Sequence, residues 1–417
     1  MAKEHFDEHF VVSIDVGSSK IVILLANEKN GRLEIFGHAR GESVGVHKGE
    51  IVDVDEVAKA IKRVKDDAIL SCNTNFHSVV ANISDAKLIV NNRESETHVS
   101  EKVSKKDVEH VIKIAQSVVI PDSHKIINSV IHHYTLDENT STHQGDELIG
   151  EKARNLKISM HVAAAPSQSV KRIQRSLDQN KLGFSDVVPN SMASSEPYLT
   201  ENEKERGVCL VDIGSEVMGL SVFKGGGIVY SVVIQAGAKQ VTRDIADAFN
   251  TSFEEAERLK IKYGCAQAKT LVEDKLIQFR QADDSSDYYL SQHSLIEVIE
   301  VAYSELFSLI RKKLKTKELY RPLNSGFILV GGGAKIKGCN DLMFSHFRKR
   351  VKIGIVNTDL IRVDTNSISS NYDLLAPEYS CALGLLLFDN DKSIVKAQQS
   401  SNGKGILGKI KQTMLEY

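Results

Sequence analysis

The chain has 417 residues, 41% of them apolar and 26% charged, and a net charge of −2. That length exceeds what one hydrophobic core organises, so two or more domains are expected. The near-neutral charge gives no reason to expect a nucleic-acid partner, and no apolar run approaches the roughly eighteen residues a spanning helix needs.

The first strong pattern is Val12-Ser13-Ile14-Asp15-Val16-Gly17-Ser18-Ser19-Lys20. A β-branched strand ends in Asp-x-Gly and turns on small residues. Such a turn lets backbone N–H groups approach phosphate oxygens. Ser18 and Ser19 add hydroxyls, Lys20 adds a point charge, and Asp15 can hold a metal through water. The plainer alternative is a surface hairpin that happens to contain Asp and Gly. A strand over 21–26, a hairpin at Asn30-Gly31 and a return strand over 33–37 follow, then a helix over 54–70. The polar segment 84–160 alternates over 87–91 and 125–133, shows one amphipathic helix over 106–118, and carries a Thr/Ser/acid-rich loop over 137–147. It reads as an inserted small α/β subdomain, after which a helix over 167–182 returns to the main fold.

The first pattern then recurs as Leu210-Val211-Asp212-Ile213-Gly214-Ser215-Glu216. Strands over 220–223 and 228–234 flank Gly225-Gly226-Gly227, and a helix covers 240–249. Strand–strand–strand–helix, written twice, is an internal duplication. Two such turns facing each other clamp a nucleotide's phosphates and its metal ion. A charged helix over 252–263 puts Glu257 and Lys260 three residues apart on one face, suited to ribose and base edges or to a solvated ion pair. The long helix 295–314 ends in Arg311, Lys312, Lys313 and Lys315, which suit its C-terminus. A strand over 327–330 feeds Gly331-Gly332-Gly333-Ala334, with a helix expected from about 336–338. A side-chain-free turn there lets an adenosine lie on backbone, although any tight turn favours glycine. A last apolar helix covers 381–388.

Other chemistry is sparse. His5, His9, His132, His133 and His143 lack partners at metal-ligand spacing, and there is no nucleophile elbow or H-E-x-x-H. The cysteines Cys72, Cys209, Cys265, Cys339 and Cys381 form no C-x-x-C pair, as expected of thiols in a reducing cytoplasm, and the polar N-terminus lacks a signal-peptide pattern.

Beyond residue 388 a polar linker over 389–404 leads to an apolar segment over 405–417. At ~100° per residue, Ile406, Leu407, Ile410, Met414 and Tyr417 share one stripe, flanked by Lys409 and Lys411. Burial of that stripe in an anionic headgroup layer is the functional reading, and docking on the protein body is the alternative. So small a helix holds lipid weakly, and stable attachment then needs several copies.

These turns, the glycine triplet and the insertion resemble the actin–DnaK–sugar-kinase superfamily. Further segments narrow the resemblance to the bacterial cell-division FtsA family: Gly45-Val46-His47-Lys48-Gly49-Glu50-Ile51-Val52-Asp53, Ala193-Ser194-Ser195, Leu199-Thr200-Glu201-Asn202-Glu203-Lys204-Glu205-Arg206-Gly207-Val208, Tyr263-Gly264-Cys265-Ala266 and Pro377-Glu378-Tyr379-Ser380-Cys381. The resemblance covers about 8–388. It implies an α/β fold, namely a duplicated actin-like two-lobed fold with an inserted small α/β subdomain and a C-terminal amphipathic helix on a flexible linker. The expected domains are 8–83 with 163–205, the insertion 84–162, 206–241 with 323–388, the outer subdomain 242–322, the linker 389–404 and the helix 405–417.

The resemblance also implies ATP with Mg2+ between the lobes. Asp15, Gly17, Ser18, Ser19, Lys20, Asp212, Gly214, Ser215, Glu257, Lys260, Gly331, Gly332, Gly333 and Ala334 would bind the nucleotide, with Asp15 and Asp212 on the metal. It implies polymerisation, binding of the C-terminal tail of FtsZ, contact with other divisome proteins, and a place at the cytoplasmic face of the inner membrane. A pilus-assembly actin homologue and a sugar-kinase-like phosphotransferase are the alternatives within the superfamily. The chain departs from the family at its second turn, where Asp-x-Gly-Gly-Gly-Thr-x-Asp becomes Asp212-Ile213-Gly214-Ser215-Glu216-Val217-Met218-Gly219. Glu216 brings a negative charge towards phosphates unless it turns outward or meets the metal. Asn190 stands where many relatives carry Glu or Gln to orient the attacking water, and Val301-Ala302 replaces a frequent Pro-Arg in the long helix.

Overall fold

The computed structural model describes residues 10–388, apart from 118–119, 138–139, 143–144, 272, 283–285 and 369–372. The expected linker and terminal helix, with Ile406, Leu407, Lys409, Ile410, Lys411, Met414 and Tyr417, lie outside the described residues, as do His5, His9 and His143.

Strands β1 (Phe10–Val16), β2 (Lys20–Lys29) and β3 (Arg32–Glu42) form an antiparallel meander. Six consecutive residues of β2, Ile21 to Ala26, are buried, because the strand is central and covered on both faces. The β2–β3 turn uses Asn30 and Gly31 with φ of 54° and 75°, the left-handed pair a two-residue hairpin requires. The same device recurs between the short strands β4 (Val46–His47) and β5 (Glu50–Ile51), where Lys48 and Gly49 have φ of 47° and 82°. Helix α1 (Val54–Cys72) starts on Asp53, whose carboxylate accepts the N–H groups of Asp55 and Glu56. It buries Val57, Ala60, Ile61, Val64 and Ala68 at helical spacing and leads into β6 (Ser78–Ile83), parallel to β1.

Residues 89–165 form a compact unit of their own. Strands β7 (Ile89–His98), β8 (His124–Leu136), β9 (Thr140–Thr142) and β10 (Asn155–Pro166) make a sheet of order β7-β10-β8-β9. Helix α2 (Lys105–Gln116) opens on a Ser104–Asp107 capping box. It packs Val108, Val111 and Ala115 against Tyr134, Leu156, Ile158 and Met160.

The chain then returns through α3 (Ser167–Asp178), β11 (Gly183–Pro189), which pairs parallel to β6, and the short helices α4 (Asn190–Ala193) and α5 (Glu201–Arg206). A second meander follows: β12 (Val208–Ile213), β13 (Met218–Lys224) and β14 (Gly227–Ile234). Helices α6 (Ala238–Phe249) and α7 (Phe253–Tyr263), the hairpin β15 (Leu276–Arg280) and β16 (Asp287–Ser291), and the long α8 (Gln292–Thr316) come next. The fold closes with β17 (Gly326–Val330), α9 (Cys339–Phe347), β18 (Val351–Ile353), β19 (Ile361–Val363) and α10 (Ser380–Leu387).

The duplication is geometric. One sheet runs β3-β2-β1-β6-β11 and the other β14-β13-β12-β17-β18; in each, three antiparallel strands are followed by two parallel ones. Asp15 pairs with Val22 and Asp212 with Gly219, the same register in each copy. β19 extends the first sheet beside β3. The second core gathers Tyr303, Phe307, Phe327 and Phe347, with the last two ring centroids 4.6 Å apart. Apolar α10 packs on β1 and on α4, so closely that a Cβ at Gly384 would lie 1.7 Å from the Ala193 carbonyl oxygen. Two expected boundaries shift: the helix expected over 167–182 ends at Asp178, and the helix expected from about 336–338 begins at Cys339, because Gly332–Lys335 first takes a 3-10 turn and Gly338 is left-handed.

Candidate functional site

The two Asp-x-Gly turns close identically. Gly17 N–H donates to the Lys20 carbonyl at 3.0 Å, and Gly214 N–H donates to the Val217 carbonyl at 3.0 Å. Each turn therefore has a two-residue tip, Ser18-Ser19 in one and Ser215-Glu216 in the other. A cavity of about 1080 Å³ lies between them. Its walls include Asp15, Gly17, Ser18, Ser19, Lys20, Asp212, Gly214, Ser215, Glu257, Lys260, Gly331, Gly332 and Gly333. Every expected nucleotide-site residue except Ala334 is thus brought together. Ala334 is buried inside the 3-10 turn, its N–H held by the Gly331 carbonyl, and it does not reach the wall.

The turns aim buried charge at this space. Burial raises Asp15 to about 6, with Asp212 adding to the rise and Lys20 and Cys381 opposing it. Asp15 Oδ1 accepts from Asn82 Nδ2 at 2.8 Å. Burial also raises Asp212, against the hydroxyls of Ser194 (2.6 Å) and Ser380 (3.1 Å), both of which donate to its Oδ2. Lys20 is lowered by burial and held up by the charges of Glu378, Asp15 and Asp212. Its ammonium donates to the Glu378 carbonyl at 2.9 Å and lies 4.7 Å from the centre of the Tyr379 ring. Two carboxylates that burial disfavours, beside a desolvated ammonium, would gain from a cation shared with phosphate groups. Among the described residues no group of three or more His, Cys, Asp or Glu is arranged as a metal cage. A divalent ion fits here as one brought in by phosphates and held through water.

The glycine triplet forms a shelf on the second lobe. Gly331 has φ 87°, and a Cβ on it would fall 2.3 Å from Asp212 Oδ1 and 2.5 Å from the Ile213 carbonyl oxygen. Only glycine lets this backbone lie against the second turn. Tyr303 fixes the shelf from beneath, donating its hydroxyl to the Gly333 carbonyl at 2.7 Å. Opposite, Lys260 Nζ donates to Glu257 Oε2 (2.7 Å), Thr242 Oγ1 (2.7 Å) and the Ala238 carbonyl (3.2 Å). Burial lowers Lys260, and Glu257 opposes that. Thr242 also donates to Glu257 Oε2. The pair is therefore more than a solvated ion pair: the lysine holds the carboxylate, and Glu257 faces the cavity.

Several wall residues had no signal of their own in the chain. Asn82 bridges Asp15 and Asn190, donating to Oδ1 of each at 2.8 Å. Cys381 also donates to Asn190 Oδ1. Lys239, Lys335 and Glu378 line the cavity too. Asn82, Lys239 and Lys335 are single polar residues in ordinary contexts, and only the packing of their elements brings them to the site. Glu216 turns outward: its carboxylate is off the cavity wall and engages Lys48, His47 and Lys239.

Two sheets of one topology, with paired phosphate-type turns across a shared cleft, define an actin-like protein. The fold matches a chain of a PilM-PilN type IV pilus biogenesis complex with a TM-score of 0.63 at 19% identity, covering 90% of this chain and 97% of that one. It also matches MreB5 of Spiroplasma citri bound to ADP with a TM-score of 0.51 at 13% identity, covering 95% and 99%. A family model for cell division protein FtsA matches residues 209–384, and one for type IV pilus assembly protein PilM matches 13–271. Over nearly the whole chain the resemblance is to cell division protein FtsA. The Buchnera aphidicola (subsp. Acyrthosiphon pisum) protein is 30% identical over 398 residues, 93% of this chain and 92% of its own length. The Pseudomonas aeruginosa protein is 29% identical over 396 residues, 94% and 92%. The chain belongs to the FtsA family of actin-like cell division proteins.

Proposed function

We propose that this chain is a nucleotide-dependent scaffold of cell division. In this reading ATP with Mg2+ binds between the lobes, the protein self-associates into filaments, and the C-terminal helix tethers those filaments to the cytoplasmic face of the inner membrane. There they hold FtsZ through its C-terminal tail and meet other divisome proteins. The observation that carries the reading is the pair of equivalent turns across one cavity large enough for a nucleotide, with the glycine shelf beside it. That one structural relative holds ADP and another AMPPNP supports the choice of ligand. The phosphates would lie between Ser18, Ser19, Lys20 and Ser215. The adenosine would lie on Gly331, Gly332 and Gly333, with Glu257 on the ribose and Lys260 fixing it. Asp15 and Asp212 would meet the metal through water. The outer subdomain 242–322 and the insertion 84–162 would serve partner and subunit contacts.

Hydrolysis is expected to be slow. Asn190 Oδ1 is already taken by Asn82 and Cys381, which leaves that side chain only hydrogens to offer a water. An attacking water needs an acceptor. Among the described residues no helix is long and apolar enough to cross a membrane. Calorimetric titration with Mg·ATP tests the nucleotide half, and no binding at millimolar ATP refutes it. Sedimentation with anionic liposomes tests the tether: deletion of 405–417 should leave the protein in the supernatant, and unchanged sedimentation refutes the tether.

A further inference from the structure

Glu216 occupies the second tip position of its turn, the place Ser19 holds in the first. Its side chain is only 5% exposed, yet it points away from the cavity. Oε2 accepts the Lys48 N–H at 2.6 Å and lies 3.3 Å from His47 Nδ1; Oε1 accepts from Lys239 Nζ at 2.9 Å. Burial would raise this carboxyl, but the Lys239 and Lys48 hydrogen bonds and the Lys239 and His47 charges hold it below the ordinary range. His47 and Lys48 belong to the first lobe, so one buried carboxylate ties the second phosphate turn to the β4–β5 hairpin.

The hairpin grips the first turn as well. Gly49 N–H donates to Ser18 Oγ at 3.3 Å. Two successive amides, Lys48 and Gly49, thus reach the two turns, one each. A Cβ on Gly49 would lie 2.0 Å from the Ser84 carbonyl oxygen and 3.2 Å from Val217 Cγ1, so the tip is wedged between the lobes. Because Ser18 Oγ accepts from Gly49, its own proton is directed elsewhere and is available to a phosphate oxygen.

We propose, resting on the nucleotide reading above, that Glu216 is a positioning residue that clasps the lobes shut over the phosphates through the β4–β5 hairpin. The clasp is made only while the turns are close. A ligand held by both turns leaves when they part, so the clasp raises the closed population and slows release. The negative charge that departs from the family's second turn thereby acts between lobes and not on the nucleotide.

The test uses the full chain, Mg2+ and a fluorescent ATP analogue chased with ATP in a stopped-flow instrument. Hydrogen exchange of residues 46–51 is measured on the same variants. Glu216→Ser, which restores the residue type of the first turn, should release nucleotide roughly ten- to a hundredfold faster, the effect of about 1.4–2.8 kcal/mol. It should also speed exchange of the Lys48 amide while leaving α1 unchanged. Glu216→Gln keeps an acceptor for Lys48 but loses the charge opposite Lys239, and should fall between. Lys239→Met removes the other partner from outside the turn and substitutes if a Glu216 variant misfolds. Wild-type release rates, or unchanged Lys48 exchange, in a variant that binds nucleotide overturn the clasp alone. A wild-type chain that takes up no analogue overturns the nucleotide reading, and this proposal with it.

Discussion

Replacing Asp15 by Asn should make the protein more stable while weakening the proposed nucleotide site. Asp15 is buried, and its carboxyl is raised from 3.8 to about 6. Between those values the folded chain holds a proton that the unfolded chain has lost. Stability therefore falls as pH rises through that window and levels off above it. At roughly 1.4 kcal/mol per pH unit, the rise costs the folded state about 3 kcal/mol at neutral pH. Asn is nearly isosteric and its Oδ1 can still accept from Asn82 Nδ2, now at 2.8 Å to Asp15, so little packing is lost. Urea melts without nucleotide should show Asp15→Asn more stable by up to about 3 kcal/mol at pH 7.5, shrinking to about 1 kcal/mol near pH 4.5. Mg·ATP affinity should fall in the same variant, the usual opposition of stability and function at a charged site. A variant less stable than wild type at pH 7.5, or a gain independent of pH, would refute the reasoning.

Two further substitutions probe the second lobe. Gly331→Ala places a Cβ against Asp212 Oδ1 and the Ile213 carbonyl at φ 87°. It should cost about 1–3 kcal/mol in a urea melt and abolish measurable binding of Mg·ATP by calorimetry. Thr242→Val keeps the shape but removes the hydroxyl that donates to Glu257 and accepts from Lys260. Melts should show a loss of about 1–3 kcal/mol, with weaker nucleotide binding because Glu257 loses its anchor.

Much of the site was legible in the chain because its devices are local. A phosphate-type turn needs an aspartate, a glycine and small tips within a few residues, and such a string survives reading in one dimension. The doubled pattern around Asp15 and Asp212 even carried the register, since each is the next-to-last residue of a strand of the predicted kind. The hairpin at Asn30-Gly31 was legible for the same reason: two left-handed residues leave few amino-acid choices. Ala334 falls inside a 3-10 turn, and the helix expected from about 336–338 starts at Cys339, because a strand-to-helix turn rich in glycine can unwind into several backbones. The packing of Gly331 and Gly333 against Ile213 selects among them. Asn82, Lys239 and Lys335 gave no signal, because a polar residue means little until its neighbours in space are known.

The amino-acid sequence by itself determined the repeat, the turn chemistry and the apolar runs that become the strands of the two sheets, all local properties of the chain. Only the tertiary structure decided where the charge at Glu216 goes. Read along the chain, it stands among residues expected to meet phosphate and looks hostile to that role. In space, the hairpin holding Lys48, distant in sequence, offers a backbone N–H at 2.6 Å, and Lys239 supplies the opposite charge. A buried carboxylate goes where it is solvated by donors, and those donors come from two lobes that only folding brings together.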